Sequence, residues 1–150
     1  MNGKNGGSQV SAAPRSLPVR VLLIEDSAII RERLAESIVE PGRIEIVGQA
    51  DCEGDALRAL RDTPCDAVVL DLQLKQGSGL GVLKSARARP GEPVYIVFTN
   101  YDFPHYREKS AQLGASFFFD KAREHARVRE VLEDMARARE EACAAKHIAS

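Results

Sequence analysis

Val19-Arg20-Val21-Leu22-Leu23-Ile24-Glu25-Asp26 is the stretch that decides the fold. An apolar run, rich in β-branched residues, passes directly into two carboxylates. A run this short and this apolar reads as a strand buried on both faces, the habit of parallel sheets. The pattern returns further along the chain. Ala67-Val68-Val69-Leu70 ends in Asp71, Val94-Tyr95-Ile96-Val97-Phe98 ends in Thr99, and Phe117-Phe118-Phe119 ends in Asp120-Lys121. In an open α/β sheet, ligands bind beyond the carboxyl ends of the strands. Laid side by side, these strands bring three or four carboxylates, a hydroxyl and one ammonium to a single crevice. Such a set suits a divalent cation and a phosphoryl group.

Outward from these runs, strand and helix signals alternate. Strands are predicted over 19–25, 44–50, 66–70, 94–98 and 116–119, and helices over 27–40, 53–61, 79–87, 104–113 and 124–146. Ile30, Leu34 and Ile38 give the first helix its inner face, and Pro41-Gly42 stops it. Leu57 and Leu60 do the same for the second, with Pro64 beyond it. Pro90-Gly91 breaks the third, Pro104 fits a helical first turn, and Gly114 suits a C-cap. Alternating strands and helices with short connections predict an α/β fold, a mostly parallel sheet with helices on both faces. The last helix carries Arg129, Glu133, Arg137 and Glu141 at i,i+4 spacing, and an apolar stripe of Val128, Val131, Leu132, Met135 and Ala142. Its second half reads either as a solvated extension or as a dimer or partner helix. Three regions result: a disordered leader over 1–17, the folded body over 18–133, and an extension of the last helix over 134–150.

Composition narrows the function. The chain has 150 residues, enough for one ordinary domain, and 21 basic against 22 acidic residues. That balance gives no field for nucleic acid or an anionic membrane. No apolar stretch approaches the roughly 18 residues a membrane helix needs. The first residues lack the apolar core of a secretory signal. Cys52, Cys65 and Cys143 fit neither a disulfide framework nor a zinc site, which points to a reducing cytoplasm.

Asp71 is the centre of the predicted chemistry. A carboxylate can attack a phosphoryl group to form an acyl phosphate. Glu25 and Asp26 can hold Mg2+ beside it, with the backbone carbonyl of Gln73 as a further oxygen. Lys121 offers a point charge to phosphoryl oxygens, and Thr99 a hydroxyl donor. Crowded carboxylates predict at least one with a raised pKa. Taken singly, each acidic residue is an ordinary helix cap; their conjunction at the ends of the right strands is what points to a site.

From Arg20 to about Glu133 the chain resembles the receiver domain of two-component response regulators. The resemblance rests on Glu25-Asp26, on Asp71-Leu72-Gln73-Leu74 followed by Gly79-Leu80, on Thr99, and on Phe118-Phe119-Asp120-Lys121. It implies a flavodoxin-like, doubly wound five-stranded sheet of order 2-1-3-4-5. It implies phosphotransfer to Asp71 from a histidine kinase or a histidine phosphotransfer protein, with Mg2+. It further implies a switch in which Thr99 moves toward the phosphoryl group and Phe118 rotates inward. The face formed by the fourth helix, fifth strand and fifth helix would then signal to a protein partner or a phosphorelay. A homodimer through that face or through the extended last helix is the other partner reading. With only a helix extension after the receiver, the chain reads as a stand-alone regulator that does not bind DNA.

The chain departs from the family pattern at three places. Lys75 stands where many receivers have proline, predicting a looser loop and a second cation near the site. Ala122 follows Lys121 where proline is common, so that turn is expected to be lost or replaced. Asn100 and Tyr101 are larger than the usual residue after the switch hydroxyl and are expected to gate access. Tyr101, Phe103, His105 and Tyr106 read either as a docking patch or as partly buried core. His105, His125 and His147 read as surface histidines. Two other functions compete. An aspartate-nucleophile phosphatase commonly uses Asp-x-Asp, which Asp71-Leu72-Gln73 lacks. A phosphorylation-independent binding module on the same scaffold is the main alternative.

Overall fold

In the computed structural model, which describes residues 16–86 and 93–149, the apolar runs form five strands. These are β1 (Val19–Ile24), β2 (Ile44–Ala50), β3 (Ala67–Leu70), β4 (Val94–Thr99) and β5 (Phe117–Asp120). They alternate with α1 (Ala28–Ile38), α2 (Glu53–Asp62), α3 (Gly79–Ala86), α4 (Pro104–Gln112) and α5 (Arg127–Ala149). All pairings are parallel and the strand order is β2-β1-β3-β4-β5. This is the expected flavodoxin-like, doubly wound topology. Most of the leader (residues 1–15), the Pro90-Gly91 break and the side chain of His147 lie outside the described residues.

Alternation along the strands divides the core in two. Val19, Val21, Leu23, Val69, Ile96, Phe98 and Phe119 meet Leu34 and Ile38 of α1 and Val128, Val131, Leu132 and Ala136 of α5. Leu22, Ile24, Val68, Leu70, Tyr95 and Val97 meet Ala56 and Leu60 of α2, and Val82, Leu83 and Ala86 of α3. Phe117 and Phe119 lie on the α1/α5 face and Phe118 on the other, as the alternation requires.

Helix ends differ from expectation for local reasons. α1 stops at Ile38 because Val39 is already extended and Glu40 bridges Ile44 in antiparallel fashion across Pro41-Gly42. Gly42 takes φ of 83° there, in the left-handed region that glycine enters freely. α5 starts at Arg127 because the residues after Lys121 form a turn, with Glu124 N–H donating to the Asp120 carbonyl at 2.8 Å. Ala142 is exposed, and Ala136 takes its place in the buried stripe.

α5 passes the amino-terminal edge of the sheet under two ionic clamps. Arg43, at the entry to β2, donates to Glu40, Glu133 and Glu140 at 2.6 to 3.0 Å. Arg139 reaches Asp66 at 3.2 Å and the Pro18 carbonyl at 2.9 Å, while Arg20 grips the same carboxylate from β1 at 3.1 Å. Burial alone would raise the Asp66 carboxyl, but Arg20 and Arg139 outweigh it and hold its pKa at about 2. Glu133 therefore serves chiefly Arg43 rather than an exposed helical ladder; its contact with Arg137 is 3.7 Å long.

Candidate functional site

The carboxyl ends of β1, β3, β4 and β5 meet in one crevice because the parallel ladder continues past the strands. Glu25 N–H donates to the Ala50 carbonyl, Asp71 N–H to Ile24, and Lys121 N–H to Thr99, at 2.9, 2.9 and 3.0 Å. Each polar residue is thus fixed one step beyond a buried strand. Glu25, Asp26 and Asp71 can each offer one oxygen, all within 4.8 Å of one another. Glu25 and Asp71 are buried, 3% and 6% exposed, and Asp26 is half-buried. The Lys121 ammonium sits between the two buried carboxylates, donating to Glu25 Oε1 at 2.6 Å and to Asp71 Oδ2 at 2.7 Å.

Burial pushes the Glu25 carboxyl up, and Asp71 adds to the rise. Lys121 and the Ser27 N–H, 3.1 Å from Glu25 Oε2, offset it only in part. The expected raised carboxyl is therefore Glu25. Burial alone would lower Lys121, but Asp71 and Glu25 outweigh it and hold the ammonium firmly protonated. Three carboxyl groups around one ammonium, which pairs with two of them, leave excess negative charge in a partly dry crevice. A hard divalent cation, with its preference for oxygen ligands, matches that charge and donor set.

The remaining predicted residues sit around this group. Gln73 N–H donates to Asp71 Oδ1 at 3.3 Å, which sets its peptide beside the Asp71 carboxylate. Thr99 is fully buried, and its Oγ1 accepts the Tyr101 N–H at 3.2 Å. The Tyr101 hydroxyl donates to the Gln73 side-chain carbonyl, so the loops after β3 and β4 are clasped together at the mouth. Phe118 is half-buried under the Arg107 guanidinium, 4.6 Å from the ring centroid.

Three expectations change. The Asp120 carboxylate does not join the other three. It accepts the Ala122 N–H at 2.8 Å and so builds the turn that proline commonly makes in the family. Lys75 pairs with Asp51 at 3.1 Å, not with the acidic crevice. The loop that carries Lys75 is held rather than loose: Lys75 N–H donates to the Asp51 carbonyl, and Ser78 N–H to Glu53 Oε1 at 2.9 Å. In the aromatic group, Tyr101 and Tyr106 are half-buried while Phe103 and His105 are exposed.

Arg31 was not singled out by the sequence. From α1 it donates to the Glu25 carbonyl and, at 3.0 Å, to Gln49 Oε1, fixing the loop that carries the acidic pair. Its spacing from Asp26 was the available signal, but an arginine in the first turns of a helix is too common to stand out.

Gly79 has no room for a side chain. A Cβ there would run into the Asp71 carbonyl oxygen and stand 2.9 Å from Leu72 Cα. Backbone does not give way as a flexible side chain does. Gly79→Ala is therefore expected to destabilise the fold by about 2 kcal/mol and to displace Asp71. Urea unfolding measures the first effect. With Asp71 as the expected phosphoacceptor, slower phosphoryl uptake per folded molecule measures the second.

Residues 21–133 match the family model described as response regulator receiver domain. The chain is 32% identical over 112 residues to a protein-glutamate methylesterase/protein-glutamine glutaminase of Koribacter versatilis, covering 73% of this chain and 31% of that protein. It is 26% identical over 129 residues to the sensory transduction protein LytT of Bacillus cereus, covering 86% of this chain and 52% of that protein. The chain thus spans a third to a half of the length of these curated relatives. Among solved structures, the receiver domain of the response regulator NarL from Mycobacterium tuberculosis superposes with a TM-score of 0.73 at 24% identity, over 82% of this chain and 99% of that one. No helix among the described residues is long and apolar enough to cross a membrane. Sequence match, strand order and an acidic crevice at the carboxyl end of the sheet agree, and the chain belongs to the response regulator receiver domain family.

Proposed function

We propose that this receiver accepts a phosphoryl group on Asp71 from a phosphohistidine of a histidine kinase or a histidine phosphotransfer protein. The observation that carries the reading is the placing of Asp71: buried, at the end of β3, bonded to Lys121 and within reach of two further carboxylates. An Asp71 carboxylate oxygen attacks phosphorus, the P–N bond breaks, and the imidazole leaves with its electron pair. Glu25, Asp26, Asp71 and the Gln73 carbonyl would hold Mg2+, which when bound neutralises charge as the two anions approach. Lys121 supplies a fixed positive charge to the phosphoryl oxygens. Nearly all of the acceleration is positioning and neutralisation.

The downstream step in this reading is a population shift. The Thr99 hydroxyl leaves the Tyr101 N–H for the phosphoryl group, and Phe118 turns inward. The α4-β5-α5 face then changes shape for a protein partner, a phosphorelay component or a second copy of the chain, with α5 beyond residue 133 as part of that surface. The Tyr101–Gln73 clasp limits the access of water and small donors to Asp71. The near-neutral charge balance and three cysteines without disulfide-framework or zinc spacing fit a cytoplasmic protein that works through protein contacts rather than DNA.

Intact mass after incubation with acetyl phosphate, with and without Mg2+, tests the reading. One phosphoryl adduct that needs Mg2+ and is released by hydroxylamine is expected, as an acyl phosphate would be. No adduct from acetyl phosphate or from any phosphohistidine donor would leave a scaffold that binds partners without phosphorylation.

A further inference from the structure

Phe118 does not face solvent freely. The Arg107 guanidinium from α4 lies 4.6 Å from its ring centroid, and Arg107 Nη1 is 3.5 Å from the Phe118 carbonyl oxygen. The guanidinium is itself held from two sides. Its Nε donates to the Asp102 carboxylate in the loop after β4, and Nη2 stands 3.7 Å from Glu124 Oε1 in the turn after β5. Glu124 Oε1 also accepts the Asp120 N–H at 3.0 Å, next to Lys121. One side chain thus ties together the aromatic ring, the loop that follows Thr99 and the turn that follows Lys121.

We propose that Arg107 is a latch that holds Phe118 in its resting position and so sets how readily this receiver switches. The proposal rests on the Thr99/Phe118 switch reading given above. An inward turn of Phe118 gives up the cation–π contact, while Asp102 and Glu124 keep the guanidinium from following the ring. Movement of Thr99 toward a phosphoryl group releases the Tyr101 N–H and shifts the loop that carries Asp102. The latch is thereby loosened from the site side and read out on the α4 side. A contact made only in the resting state must weaken whatever favours the other state, by linkage.

Aromatic carbon–proton NMR of phenylalanine-labelled chain reads the ring directly, with the Phe118 signal assigned by its loss in Phe118→Leu. Mg2+ with beryllofluoride serves as the phosphoryl probe. In the wild type, the Phe118 signal is expected to shift on adding the probe. In Arg107→Ala without probe, it is expected to lie part-way to the loaded position, with the activated fraction raised about fivefold and half-saturation by the probe falling by a similar factor. Arg107→Lys, which keeps charge but loses the fork, should fall between. Asp102→Asn should mimic Arg107→Ala more weakly without touching the ring. A signal that shifts in the wild type but sits at the same place in the unloaded Arg107→Ala, with unchanged half-saturation, overturns the latch alone. A signal that does not shift in the wild type overturns the switch reading and the latch with it.

Discussion

Asp71→Asn will take up no phosphoryl group under conditions that load the wild-type chain, and in metal-free solution it will unfold at slightly higher denaturant than wild type. The first half follows from chemistry. A carboxamide has no anionic oxygen and its lone pairs are delocalised, so the nucleophile is gone while the shape remains. The second half follows from charge. Asp71 and Glu25 are both buried and share one ammonium, and Asp71 is among the groups that raise the Glu25 carboxyl. Removing one negative charge leaves Lys121 on Glu25 at 2.6 Å. The asparagine oxygen can still accept the Gln73 N–H. Loss of the Asp71–Lys121 pair is set against relief of repulsion and of desolvation, and a net gain of about 1 kcal/mol is expected.

Saturating Mg2+ should reverse the order. A ligand that binds only the folded state stabilises it by RT ln(1 + [L]/Kd), about 2.7 kcal/mol at a hundredfold excess over Kd. The variant has one charged oxygen ligand fewer and gains less. Urea curves of both chains, with EDTA and with Mg2+, check the crossing, and intact mass checks the loading. An Asn variant that still takes up one phosphoryl group would move the acceptor elsewhere. An Asn variant less stable than wild type under both conditions would show that the Lys121 pair outweighs the repulsion.

The strands and their parallel pairing were legible because short apolar runs bounded by polar residues alternate with helical segments, while their order, which the sheet bears out, came from the resemblance to receiver domains. The crevice was legible for the same reason: Glu25, Asp71, Thr99 and Lys121 each stand at the carboxyl end of a buried run. Side-chain direction was not. Asp120 occupies an equivalent end position, yet its carboxylate turns back to the Ala122 N–H, a local Asx geometry that spacing does not reveal. Lys75 finds Asp51 24 residues earlier, and Arg43 finds Glu133 and Glu140 90 and 97 residues later. Those pairings exist only once the sheet order is known. Ala142 continues the apolar period of α5, but the helix has by then passed the edge of the sheet, where Arg139 and Glu140 are clamped. Periodicity shows which face turns inward, not where the inside ends.

Lys121→Met is expected to lower stability at neutral pH by about 3 kcal/mol in the absence of metal, because breaking a buried pair strands its partner. Methionine fills a similar volume, so packing is nearly conserved and the loss is electrostatic. Its pH dependence gives the cause away. In the wild type, burial raises the Glu25 carboxyl and Lys121 draws it back. Without Lys121, burial and Asp71 act unopposed, and the folded-state value climbs further above the unfolded one. A carboxyl raised on folding favours the folded state fully below its unfolded pKa and loses that contribution as pH rises through the folded value. The deficit of Lys121→Met should therefore be small near about pH 4, full near about pH 8, and reduced by Mg2+. Equal deficits at both pH values would assign the loss to packing. Phosphoryl uptake from acetyl phosphate should fall at least about 10²-fold at saturating Mg2+, since a fixed charge on the transferring oxygens is lost. Lys121→Arg should restore part of the stability but little of the rate, because a planar fork does not fit the space of a point charge that is only 10% exposed. Uptake at the wild-type rate in Lys121→Met would remove Lys121 from the chemistry and leave it only the work of holding Glu25 and Asp71 together.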